Sequence, residues 1–111
     1  MNSNHPDIPF ACDMSVFTPT DRELHIQTIR KLFQSLQKVH EAENGYEFSF
    51  PNSSEIIRGA AEFISGERLC CPFLEFTLTV SPGKEPFTLL LAGPNGTQEF
   101  LRAEFSEAFE L

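Results

Sequence analysis

From Ile8 to Val16 every second residue is apolar: Ile8, Phe10, Cys12, Met14 and Val16 alternate with Pro9, Ala11, Asp13 and Ser15. A period of two with one apolar face predicts a half-buried strand, with Cys12 on the core side. The period then lengthens. Ile29, Leu32, Phe33, Leu36 and Val39 recur at helical spacing behind Thr18-Pro19-Thr20-Asp21. Thr18 suits an N-cap, Pro19 the first helical position, and Asp21 closes a capping box. Asn44-Gly45 is read as the stop of that helix. A short strand comes next, with Tyr46, Phe48 and Phe50 on one face and Glu47 and Ser49 on the other.

A second helix is expected after Pro51, with Asn52 as N-cap and Glu55 as its box partner. Ile56, Ile57, Ala60, Ala61, Phe63 and Ile64 form its apolar side. Pro72 disfavours helical geometry at Cys71, so the helix should end near Cys70. Leu74, Phe76, Leu78 and Val80 then alternate as a third strand. Ser81 to Pro86 reads as a turn, and Phe87 to Gly93 as a fourth strand pairing with the third in a hairpin. The run Leu89-Leu90-Leu91 breaks the alternation, which suggests cover on both faces. A last helix from about Thr97 carries Phe100, Leu101, Phe105, Ala108 and Phe109 inward, and Glu99, Glu104, Glu107 and Glu110 outward. The order β-α-β-α-β-β-α predicts an α+β fold: a mixed four-stranded sheet with helices packed on it in two layers.

At 111 residues the chain fits one domain, 1–111, with 1–7 expected to be a flexible terminus. An apolar fraction of 41% marks it as globular. The aromatic residues are 12 Phe, 1 Tyr and no Trp, so the core should be built from phenylalanine. That many Phe side chains could exceed what one core hides, and an exposed Phe-rich surface would suit a homodimer. A net charge of −8 without any basic run argues against nucleic acid and against anionic membrane surfaces as partners. The first residues lack the basic-then-apolar pattern of a secretory signal, and no apolar stretch approaches membrane-spanning length. The expectation is a cytoplasmic protein with reduced thiols.

Its candidate chemistry lies in Ser65-Gly66-Glu67-Arg68-Leu69-Cys70-Cys71-Pro72. Adjacent cysteines rarely bond to each other, because the small ring strains the peptide between them. Left reduced, Cys70 and Cys71 offer two sulfurs in one place, and soft ions such as Zn(II), Cu(I), Hg(II) or As(III) favour such ligands. There is no C-x-x-C and no second ligand pair, so a closed zinc-finger site is not written in the chain. Cys12 could add a third sulfur from the sheet. Three cysteines is an odd number, which weakens a disulfide framework further. Glu67 and the helix C-terminus both raise a nearby thiol pKa, and Arg68 opposes them. That environment counts against a cysteine nucleophile and leaves either packing or metal capture. No residue pattern announces a reaction. Free cysteine is often simply buried, so two readings stand. In one, Cys70 and Cys71, joined by Cys12 if the sheet brings it close, bind a thiophilic ion. In the other, the cysteines only pack, inside a non-catalytic homo-oligomeric interaction domain.

Other candidates are weaker. His25 and His40 share the first helix but stand about four turns apart, and His5 lies near the N-terminus, so the three are read as surface or boundary residues. Gly93-Pro94-Asn95-Gly96 lacks the lysine and spacing of a phosphate loop and reads as a turn. Glu67, Arg68, Cys70, Cys71, Pro72, Phe73 and Phe76, followed by Gly93, Pro94, Gly96, Glu99, Phe100 and Leu101, resemble a group of small bacterial proteins of unassigned function. Those carry an E-R-x-C-C-P-F segment, a hairpin and then G-P-x-G-x-x-E-F-L. The resemblance runs through the last two-fifths of the chain and implies one structural unit, with no activity attached.

Overall fold

A computed structural model describes residues 11–110. The expected flexible terminus 1–7, His5 and the Ile8–Phe10 start of the expected first strand lie outside the described residues. The rest of that expected strand is not a strand. Met14–Val16 form a 3-10 turn, capped by the Asp13 carboxylate, which accepts from Ser15 N. The alternation there marks which residues touch the core, Cys12 and Met14 among them, without any partner strand to pair with.

Helix α1 runs Pro19–Phe33, with Thr18 Oγ1 accepting from Asp21 N at 3.1 Å as its sequence foretold. It stops well before Asn44. Leu36 and Val39, which continue the helical spacing on paper, lie beyond it, and strand β1 occupies Lys38–Ala42. Asn44-Gly45 therefore marks a hairpin, with Glu43 and Asn44 as its turn, rather than a helix stop. Asn44 takes a left-handed backbone (φ 52°), and Ala42 pairs with Gly45 at the start of strand β2, Gly45–Phe50. The β-branched Val39 and its neighbours gain cross-strand partners that one further helical turn could not supply.

Helix α2, Ser54–Cys70, has Ser53 as its N-cap, its hydroxyl accepting from Ile56 N at 3.1 Å. Asn52, the expected cap, instead donates to the carbonyls of Gly83 and Glu85, tying the start of α2 to the β-turn. The far end falls where Pro72 requires: Cys71 leaves helical geometry at φ −122°, ψ 74°. Strands β3, Glu75–Thr79, and β4, Phe87–Ala92, form the second hairpin, and helix α3 covers Thr97–Glu104 before a 3-10 segment over Ser106–Glu110.

The sheet order is β1-β2-β4-β3, and every neighbouring pair is antiparallel rather than mixed. Among the described residues the elements run α-β-β-α-β-β-α. The α+β class, the four-stranded sheet and the helices layered on it are as expected; among the described residues the edge strand comes from residues 38–42 rather than 11–16. Phe48, Leu89 and Leu78 line up across the core face, with Glu47, Leu90 and Thr77 on the other. Leu90 is half-buried on that second face, so the Leu run is only partly covered there.

Phenylalanine fills the core. Phe48, Phe50, Phe63 and Phe87 are fully buried, and Phe33 meets Phe48, Phe50 and Phe63 edge-on with ring centroids 5.3–5.7 Å apart. Burying one such side chain contributes about 1.5–3 kcal/mol. Every phenylalanine from Phe17 to Phe109 is buried or half-buried, and the exposed large apolar residues are Val16, Leu24, Leu69 and Val80. The expected exposed Phe-rich surface is therefore not found among the described residues. Val80, expected inside, is outside because β3 ends one residue earlier.

Candidate functional site: a buried sulfur and carboxylate cluster

The last turn of α2 places Glu67 and Cys70 on one helix face, since residues three apart are neighbours there, and Cys71 follows as the C-cap. An α-helix also ends with carbonyls that lack partners. One of these, the carbonyl of Cys70, is taken by the segment that precedes α1: Asp13 N donates to Cys70 O at 2.7 Å. The bond lays Cys12 against the end of α2. Cys71 N closes the helix by donating to Glu67 O at 2.8 Å.

Three sulfurs and a carboxylate thus meet. One ligand atom each from Cys12, Glu67, Cys70 and Cys71 lie within 4.8 Å of one another. Cys12 and Cys71 sit at disulfide bonding distance, joining positions 59 residues apart. This corrects the expectation of three reduced thiols: an odd count argues against a framework of bridges but leaves room for one. Cys70 is the free thiol. Its Sγ lies 3.8 Å from Cys71 Sγ, and the thiol faces the carbonyl of Glu67 at 3.6 Å and its Oε1 at 3.8 Å. Glu67 Oε2 lies 3.2 Å from Cys71 Sγ and 4.0 Å from Cys12 Sγ.

The cluster is almost dry. Cys70, Cys71 and Glu67 are 1%, 0% and 2% exposed, and only Cys12 is half-buried. Although they are adjacent in sequence, Cys70 and Cys71 face the same surroundings, because Cys71 has left the helix and its side chain turns back over Glu67. Burial first, and the Glu67 charge second, push the Cys70 thiol up to about 12. It is thus a poor nucleophile near neutral pH.

His25 is the residue that sequence reading placed wrongly. It is 5% exposed, and its Nε2 lies 2.8 Å from Glu67 Oε1. Phe17 and Phe63 flank the imidazole, with ring centroids 5.1 Å and 6.3 Å away. Its position could have been found: His25 precedes Ile29 and Leu32 by four and seven residues, so it continues their apolar face. His40 lies in β1 and is exposed, outside the cluster, and Arg68 is exposed. The helix also makes room for the histidine: a Cβ on Gly66 would stand only 2.7 Å from His25 Cε1.

No helix among the described residues is long and apolar enough to cross a membrane. Set beside protein-family models, curated proteins and solved structures, the chain matches none of them.

Proposed function

We propose that this protein binds a thiophilic metal or metalloid ion through Cys12, Cys70 and Cys71 in their reduced form, with the Cys12–Cys71 disulfide as the oxidised state of the same site. The observation that carries the reading is the convergence of three sulfurs and the Glu67 carboxylate within 4.8 Å, buried at a helix end. A packing role asks only for small apolar side chains at such a corner, and it gives no reason to bury a carboxylate among them. The raised Cys70 thiol is no obstacle to an ion, which displaces the proton on binding. A reducing, cytoplasmic setting belongs to this proposal, since it keeps the three-thiol form available. The resemblance of Glu67 to Leu101 to small bacterial proteins is carried along as a proposed kinship and supplies no reaction.

The test is a titration of the reduced, desalted protein with Hg(II) under anaerobic conditions, read by sulfur-to-metal charge-transfer absorption. One ion per chain is expected, with the signal lost in Cys70→Ser/Cys71→Ser. If that double variant binds as tightly as the parent chain, the reading fails.

A further inference from the structure

We infer that Glu67 Oε2 is the fourth ligand of the cysteine site, and that the ion the site selects is divalent and tetrahedral, of the Zn(II) class. This rests on the ion-binding reading above and names its ion and its one oxygen ligand.

The spacing of the donor atoms carries the inference. With metal–sulfur bonds of about 2.3 Å and metal–oxygen bonds of about 2.1 Å, a tetrahedral centre sets its sulfurs about 3.8 Å apart and a sulfur about 3.6 Å from an oxygen. Cys70 Sγ and Cys71 Sγ stand 3.8 Å apart. Glu67 Oε2 stands 3.2 Å from Cys71 Sγ and 4.0 Å from Cys12 Sγ, on either side of the second value. One ligand atom from each of the four residues falls within 4.8 Å of the others. The bonded Cys12–Cys71 pair must part before an ion can sit among them. Cys12 is the half-buried member and belongs to the segment before α1, so it is the vertex with room to withdraw.

The carboxylate is also set to give one oxygen. His25 Nε2 holds Oε1 at 2.8 Å, and Oε2 faces sulfur. A ligand whose other atom is held by a neighbouring side chain is oriented in advance, so His25 is a positioning residue, with Gly66 leaving it room. The donor set then chooses the ion. Cu(I) and Hg(II) favour sulfur and gain little from a carboxylate, whereas Mg(II) and Ca(II) favour oxygen and gain little from sulfur. Zn(II) takes Cys sulfur and Glu oxygen alike and closes its shell at four. The second ligand pair that the cysteine spacing lacks is thus supplied by Cys12, brought in across the fold, and by Glu67, one turn before Cys70 on α2.

Binding moves no electrons once the thiols are free. The ion displaces one proton from each of the three thiols to solvent, and the four protein donors replace its water. The disulfide form must first take up two electrons and two protons, for example from two equivalents of a small monothiol, which leaves as its own disulfide. Oxidised protein therefore lacks two of the four ligands.

The experiment uses the full chain, reduced with a phosphine and desalted anaerobically, with Zn(II) and Co(II) as probes and Hg(II) as comparator. One Zn(II) per chain is expected, and X-ray absorption at the zinc edge should show three sulfurs and one oxygen. Electron spin echo of the Co(II) form in heavy water should show no bound water and no directly bound nitrogen, which leaves a protein oxygen as the fourth donor. Glu67→Gln should weaken Zn(II) binding beyond the roughly 10–100-fold that changes outside the ligand shell cost, and His25→Gln should stay within that range. Glu67→Gln should also lower the ratio of Zn(II) to Hg(II) affinity, whereas a merely loosened fold would weaken both ions alike. The spectra use the parent chain, so a variant that fails to fold does not decide the outcome. A fourth position that is empty, or filled by water or imidazole, overturns this inference and leaves the ion-binding reading standing. Hg(II) binding through the cysteines without Zn(II) does the same. If neither ion binds through the cysteines, both readings fall.

Discussion

His25 Nε2 lies 2.8 Å from Glu67 Oε1, and the two side chains are 4% and 2% exposed although they come from different helices. A buried pair of this kind resists the loss of one partner more than the loss of both, because the survivor is left without water or a bonding group. His25→Leu should destabilise the oxidised protein by about 3–5 kcal/mol. His25→Leu combined with Glu67→Leu should cost less than the two single changes added together. Urea unfolding of the four chains in a double-mutant cycle measures the difference, and strict additivity would mean that the contact contributes nothing.

Two glycines of α2 should respond oppositely to the same substitution. Alanine is favoured over glycine in a helix by about 1 kcal/mol. A Cβ at Gly59 meets nothing within 4 Å, so Gly59→Ala should gain most of that amount. At Gly66 the added carbon falls on the His25 ring, 3.2 Å from Cγ and closer still to Nδ1 and Cε1. The imidazole is held by Glu67 and two phenyl rings, so it cannot step aside cheaply. Gly66→Ala should lower stability by about 1–3 kcal/mol despite the better helix former. Thermal unfolding of both variants is enough; a stabilised Gly66→Ala would mean that His25 is loosely held.

The Cys70 thiol gives the fold a weakness at alkaline pH. Burial, then Glu67, raise it from an ordinary 9.0 to about 12. In the unfolded chain it loses its proton from about pH 9, while the folded protein retains it, so the unfolded state binds fewer protons and stability falls as pH rises. The contribution is whole below pH 9 and is lost progressively toward pH 12. The unfolding midpoint of the oxidised protein should therefore drop across this window more steeply than that of Cys70→Ser. Parallel pH profiles would show that the thiol is not the cause.

Much of the architecture is legible in residue spacing, and the misses share a cause. The end of α2 at Cys70 follows from Pro72, and the β3–β4 hairpin from an alternating run and an apolar run around a Pro-Gly turn, both local facts. Ile8 to Val16 has the pattern of a strand, yet no strand forms over 14–16, since alternation reports which side is buried and not whether a neighbouring chain offers hydrogen bonds. Leu36 and Val39 fit a helix as well as an edge strand, and β2 decides between them by pairing with β1. In the site, Glu67 and Cys70 share a face by spacing alone, and spacing also puts His25 on the apolar side of α1. Cys71 turns in only because it has left the helix, and Cys12 and His25 reach Glu67 through the Asp13–Cys70 bond and the packing of α1 on α2, which no local pattern records.

The placement of Cys12 has a consequence for the topology of the chain. It is the one sulfur of the cluster that α2 does not carry, and 59 positions separate it from Cys71. Whatever bridges them ties off a loop holding α1, the first hairpin and all of α2. A covalent bridge over a loop of this size restricts the unfolded chain by about 4 kcal/mol. An ion bound to both sulfurs, as proposed, would knot the same loop. On that proposal oxidation and occupancy would be two forms of one clasp, left open in the empty, reduced chain.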